Sequence, residues 1–373
     1  MGTMSGKACL VTGATSGIGQ ETALQLAVLG AAVTIVARDE ARGETAAAEI
    51  RRCVPLAQVG TMTADLSSLA QVRRLAEEVL ARSGRLDVLV NNAGVISLRR
   101  QLTADGLEST FATNHLGPFL LTSLLRGLLE RSAPARVVTV SSAAHRQVRA
   151  IPWDDLVRGE RAGNGQAYAV SKLLNILFTT ELAGRLAGTG VTANCLHPGF
   201  VRSALGRDVT GLPGAAVRLA LCLRPGPAAG ARTSVYLASA AEVADISGGY
   251  FVKSRLSRPS ALARDAQAAA RLWALSAELA GLDPGRQPPP LTGTMPSATA
   301  WSTGRCGGPR LRLCPANRGR RPGGPRITPS RSCHSVLPPT RPGGRVKAVL
   351  LSSAAPIRRA QIGPFPRRRS EVS

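Results

Sequence analysis

The ten residues "VTGATSGIGQ" (11–20) constrain the fold more than any other stretch of the chain. They follow an apolar run, "KACLVT" (7–12), that reads as a buried strand, and they open a helical pattern from Gly17 to about Leu29. Gly13, Gly17 and Gly19 stand at TGxxxGxG spacing rather than GxGxxG. Glycines at a strand-to-helix corner allow a tight turn and a close approach of ligand to backbone. The helix start presents unpaired amides and the positive end of the helix dipole to an anion. A dinucleotide pyrophosphate suits such a turn, held by Gly13, Thr15, Ser16, Gly17, Ile18 and Gly19. Glycine clusters also serve ordinary turns, so the strand–turn–helix setting carries the reading.

Further strands are predicted over 31–38, 58–66, 86–94, 135–142, 191–199 and 248–252, as near-continuous apolar runs. Helices are predicted over 39–52, 67–84, 167–188 and 262–279. This alternation implies parallel βαβ units: an α/β fold with a doubly wound, Rossmann-type parallel sheet in one domain. In the last helix Leu262, Ala266, Ala269, Leu272, Trp273 and Leu279 lie roughly on one stripe and read as packing.

Charge divides the chain. Of 47 Lys and Arg, 17 fall in residues 285–373, against one of the 23 acids, so about +8 of the +24 net charge belongs to residues 1–284. The same segment holds 15 of the 25 prolines and lacks sustained periodicity. The expected organisation is a globular domain over 1–284 and a disordered basic Pro/Arg/Gly-rich tail over 285–373. The tail has no aromatic interleaving, so a solvated appendage is expected and no specific nucleic acid. Seven scattered cysteines form no CxxC or metal array, which fits a reduced compartment and no metal. No apolar run approaches the ~18 residues of a membrane span, and no secretory leader is expected. A cytoplasmic location is expected, any membrane attachment being peripheral and intracellular.

The end of the second strand discriminates between cofactors. NAD enzymes usually place an acid there for the ribose 2′-OH. Here "IVARD" offers Arg38, which suits a 2′-phosphate, and Asp39 reads as the start of the next helix. The expected cofactor is NADP(H).

These residues resemble the short-chain dehydrogenase/reductase family over roughly residues 5–282. The resemblance rests on "TGATSGIG", "ADL" (64–66), "NNAG" (91–94), "NHLG" (114–117), "VSS" (140–142), "YAVSK" (168–172) and "HPG" (197–199), in family order. "NHLGPFLLT", "RVVTVSSAAH" and "GVTANCLHPGFVRSALGR" look like the retinol dehydrogenase branch.

Tyr168 and Lys172 stand four residues apart on a predicted helix, so they share a face. A tyrosine near pKa ~10 is a poor base, and an adjacent ammonium lowers it. The pair reads as a proton-transfer device that exchanges a proton with an alcohol or carbonyl oxygen while hydride moves to or from the cofactor. A Tyr/Lys pair alone is also an ordinary helical face.

The resemblance implies that Ser142, rather than Ser141, holds the substrate oxygen, and that Asn114 supports a water relay to Lys172. It places Asp65 at the adenine, Asn92 on the adenosine side and Lys172 at the nicotinamide ribose. It sets Pro198 to Val201 against the nicotinamide. Residues 145–165 should form a loop over the active site, and 200–230 a lipophilic substrate loop. The helix carrying Tyr168 should make homodimer contacts. His145 and His197 read as structural or substrate-wall residues. The expected function is NADP(H)-dependent interconversion of a lipophilic, retinol/retinal-like alcohol and its carbonyl. The alternatives are a general carbonyl or steroid reductase and a non-catalytic dinucleotide-binding protein.

Overall fold

The computed structural model describes residues 2–97, 99–161, 165–199 and 226–283. All belong to the first of the chain's two units, residues 1–306, the second being residues 307–373. The expected tail, Val201 and most of the expected substrate loop lie outside the described residues.

The sheet is built from β1 (Ala8–Thr12), β2 (Ala32–Ala37), β3 (Val59–Thr63), β4 (Val88–Asn91), β5 (Ala135–Val140), β6 (Val191–His197), β7 (Tyr250–Val252) and β8 (Arg255–Ser257). Their order is β3-β2-β1-β4-β5-β6-β7-β8. All pairings are parallel except β7 with β8. The order reverses between β1 and β4, so a crevice opens there at the carboxyl ends of the strands, the usual ligand position in this architecture.

Helices cover both faces. α1 (Gly17–Val28) and α2 (Glu40–Cys53) pack on one side over Leu26, Ile35, Ala47 and Val90. α3 (Leu69–Arg82) packs on the other over Val72, Leu75 and Leu89. Local chemistry sets their starts. Asp39 accepts from the Arg42 N–H at 2.8 Å and caps α2, and Ser68 caps α3.

The structure adds elements that the sequence pattern did not give. A short helix α4 (Ser109–Phe111) runs through a π-helical segment (Ala112–Leu116) into α5 (Gly117–Arg131). Its interior residues, from Phe119 to Leu121 and Leu125, are enclosed on several sides, so no clean stripe marks them. After β5 comes a 3-10 turn (Ala143–Gln147), then α6 (Gln166–Arg185), α7 (Pro227–Ser239) and α8 (Ala266–Leu279). α7 replaces the end of the expected 200–230 loop with helix from Pro227. β8 was not expected. It returns through Lys253 (φ 51°) and Ser254 (φ 59°), two left-handed positions that Asn and Gly usually fill in such hairpins.

Two expectations need correction. Ala266 is exposed in the first turn of α8, whereas Ala269, Leu272 and Trp273 are buried. Of the described residues in the 145–165 segment, Ile151 and Leu156 join the core instead of covering the cleft, and Arg146 and Gln147 border the cleft. In α6, Ala169 through Thr179 are all buried, with α8 packed alongside. Among the described residues no helix is long and apolar enough to cross a membrane.

Candidate active site

A cleft of about 1750 Å³ runs along the carboxyl ends of the strands. The turn residues Gly13, Thr15, Ser16, Gly17, Ile18 and Gly19 line it together with Arg38, Asp65, Asn92, Ser142, Tyr168, Lys172 and Pro198. The sequence signals therefore converge on one cavity, with Asn114 enclosed just behind it and Val201 outside the described residues.

The glycine end fits a dinucleotide. Gly13 sits at φ 64°, and a Cβ there would come within 2.7 Å of the Ala93 Cα. A Cβ at Gly19 would collide with the Asn92 amide and the Gly13 carbonyl. Gly17, at φ 62°, borders open space. Ser16 makes no side-chain cap, so the first amides of α1 are left to a ligand. Asn92 also braces the turn, donating to the carbonyls of Thr12 (2.9 Å) and Gly13 (3.1 Å). Asp65 Oδ1 accepts from the Ser67 N–H at 2.9 Å.

Arg38 is exposed at the cleft, and Arg42 joins it there. Sequence reasoning passed over Arg42; its signal was its place four residues after Arg38, in the first turn of α2. The capping role of Asp39 occupies the carboxylate next to Arg38.

At the other end Lys172 Nζ donates to the Val140 carbonyl at 3.0 Å and stands 5.6 Å from the Tyr168 ring centroid. Burial lowers the Lys172 ammonium to about 8. Burial also raises the Tyr168 phenol above its ordinary value, opposed by a hydrogen bond with Ser142. Burial is the larger cause, so in the protein alone this phenol lies above its ordinary value rather than below it.

Ser141 donates to the Lys172 carbonyl at 2.6 Å, while Ser142 Oγ accepts from the Ala144 N–H at 3.2 Å beside Tyr168. Asn114 is fully buried. Its Oδ1 accepts from the Val95 N–H (2.7 Å), and its Nδ2 donates to the Val95 carbonyl (2.9 Å) and Ser171 Oγ (3.0 Å). These bonds tie the Asn114 side chain to the loop after β4 and to α6.

His145 is a structural residue. Its Nε2 accepts from the Ser260 N–H at 3.2 Å, which leaves Nδ1 to donate to the Ser142 carbonyl at 2.6 Å. His197 Nδ1 accepts from the Ala143 N–H at 3.2 Å, and its ring borders the cleft. Among the described residues no group of three or more His, Cys, Asp or Glu is placed to hold a metal ion.

The short chain dehydrogenase family model matches residues 7–211. Human retinol dehydrogenase 12 is 46% identical over 279 residues, covering 75% of this chain and 88% of that protein. Human retinol dehydrogenase 14 is 43% identical over 305 residues, with the same coverage. Among solved structures, the RhlG/NADP active-site complex of Pseudomonas aeruginosa aligns with a TM-score of 0.55 at 30% identity, covering 66% of this chain and 94% of that one. With these matches added to the sheet order and the glycine turn, the chain belongs to the short chain dehydrogenase family of oxidoreductases, and retinol dehydrogenases are among its relatives.

Proposed function

We propose that this protein is an NADP(H)-dependent oxidoreductase of lipophilic alcohols and carbonyls, working on retinal-like aldehydes in the reducing direction. The observation that carries the reading is the meeting of Tyr168, Ser142 and Lys172 at one end of the cleft that the glycine turn borders at the other. When bound, the reduced nicotinamide supplies the hydride.

The chain's own residues do the rest. The turn and the open start of α1 bind the pyrophosphate, and Arg38 and Arg42 take the 2′-phosphate through charge-assisted bonds. Ser142, fixed by Ala144, donates to the substrate oxygen. Tyr168, kept protonated by burial, hands its proton to the alkoxide that forms. Lys172, charged below about pH 8, stabilises the phenolate left behind. Asp65 and Asn92 border the adenosine half, and Pro198 and the backbone after it border the nicotinamide half.

The names of the human relatives support a retinoid substrate, and Val95, Ile96 and Leu102 add apolar lining to the cleft. Residues 1–284 form the catalytic domain, and 285–373 a basic appendage. Steady-state oxidation of NADPH, and of NADH for comparison, with all-trans-retinal, a long-chain aldehyde and a steroid ketone tests the reading. NADPH-linked turnover of retinal is expected. Turnover of other carbonyls alone would move the substrate to a general or steroid reductase, and turnover of none would sink the substrate reading.

A further inference from the structure

Ser142 and Ala143 share one peptide group, and an imidazole holds each end of it. The Ser142 carbonyl accepts from His145 Nδ1–H at 2.6 Å, and the Ala143 N–H donates to His197 Nδ1 at 3.2 Å. In a trans peptide these two groups point in opposite directions, so the rings grip the plane from its two edges. The backbone N–H of His145 adds a second bond to the same carbonyl at 3.2 Å.

Each ring is fixed in turn. His145 is fully buried, lies T-shaped against Tyr250 with centroids 5.2 Å apart, and accepts the Ser260 N–H at 3.2 Å through Nε2. Arg146 donates to the Arg258 carbonyl at 2.6 Å, so the turn after Ser142 is tied twice to the segment that follows β8. His197 is the last residue of β6 and pairs with Val252 of β7. Both rings accept an N–H at one nitrogen, which suits neutral imidazoles. Burial lowers both below the ordinary histidine value.

The peptide plane governs where the Ser142 side chain points, because rotamers follow the backbone. Ser142 is extended, at φ −154° and ψ 156°. Its Oγ accepts from the Ala144 N–H, which leaves the hydroxyl hydrogen for a substrate oxygen. A misplacement of about 1 Å in such a group can cost ~10²-fold in rate.

We propose that His145 and His197 are positioning residues that pin the Ser142–Ala143 peptide from both edges and so aim the Ser142 hydroxyl at the substrate oxygen. The proposal rests on Ser142 holding that oxygen, as proposed above.

The opposing account is that His145 only anchors the segment after β8. Two substitutions in the full-length chain separate the accounts, placed on His145 because the His197 ring borders the cleft. His145→Asn keeps a donor at the Nδ1 position for the Ser142 carbonyl and loses the acceptor for Ser260. His145→Gln keeps an acceptor at the Nε2 position and loses the donor. With all-trans-retinal, Gln should lose about tenfold in kcat and Asn stay within about threefold of the parent. NADPH affinity, read by fluorescence titration without substrate, should hold in both. Equal rates in the two variants, or the reverse order, would overturn the proposal. If melting shows that either variant does not fold, the His197 pair decides. His197→Asn keeps an acceptor for the Ala143 N–H and His197→Leu does not, so Leu should be about tenfold slower than Asn, and equal rates would overturn the proposal. A parent enzyme inactive on every carbonyl would defeat the catalytic reading of Ser142. Amide hydrogen exchange over residues 141–147 would still judge the grip on the peptide: it should be faster in His145→Gln than in His145→Asn, and equal exchange would overturn it.

Discussion

Lys172 stands over the Tyr168 ring at 5.6 Å from its centroid, while its ammonium bonds the Val140 carbonyl rather than the phenol oxygen. Each side chain is shifted by burial: the tyrosine upward, the lysine down to about 8.

The pH dependence of carbonyl reduction follows. Lys172 is charged below about pH 8 and neutral above it, while Tyr168 stays protonated across that range. The kcat/KM for reduction should fall along a one-proton limb as pH rises through about 8. Lys172→Met should lose roughly 10²-fold and show no limb there. Rate profiles from pH 6 to 10 on both proteins check this, and an identical limb in the variant would assign it to another group.

Cofactor preference should reside in two guanidinium groups. Arg38→Ala and Arg42→Ala each remove a partner of the 2′-phosphate, and bonds between charged groups contribute ~1.5–3 kcal/mol. Each variant should raise the KM for NADPH by about tenfold or more and leave that for NADH nearly unchanged. Equal effects on both cofactors would place the arginines elsewhere in binding.

The glycine turn predicts a contrast between two similar substitutions. Gly19→Ala drives a methyl into the Asn92 amide and the Gly13 carbonyl, so NADPH binding should be lost. Gly17→Ala meets open space and bears only the strain of φ 62°, about 1 kcal/mol, in the protein without ligand. Thermal melts and NADPH titration of the two variants should separate strain from collision.

Stability at low pH should depend on Asp87. This buried carboxylate accepts from Arg85 at 2.8 and 2.6 Å, from Lys7 at 2.9 Å and from the Ala8 N–H at 2.9 Å. Burial alone would raise it, but these hydrogen bonds prevail and hold it below the usual carboxylate value. Its contribution is therefore complete above the unfolded pKa near ~4 and is lost as pH falls through the lower folded value. Asp87→Asn should cost about 2 kcal/mol at pH 7 and flatten the acid limb of stability, as read by denaturant melts between pH 2 and 7.

What could be read from sequence was local. Gly13, Gly17 and Gly19 declare themselves by spacing at a strand-to-helix corner, and Tyr168 and Lys172 by one helical turn. The sheet follows from apolar runs alternating with helices. What escaped was set by burial and long-range packing. The helices around Asn114 carry no stripe, because Phe119, Leu120 and Leu121 are enclosed on several sides. His115 meets Ser276 across 161 positions of sequence, which no periodicity records. The β7–β8 hairpin uses Lys253 and Ser254 where Gly or Asn would have marked the turn. The upward shift of Tyr168 depends on desolvation, which exists only once the fold has closed around it.

The most direct test of the central claim is NADPH oxidation by the purified full-length protein with all-trans-retinal, beside Tyr168→Phe. The account predicts retinal-dependent turnover that falls by roughly 10²–10⁴-fold in the variant, with NADPH affinity retained. Turnover that survives removal of the phenol would contradict Tyr168 as the proton donor.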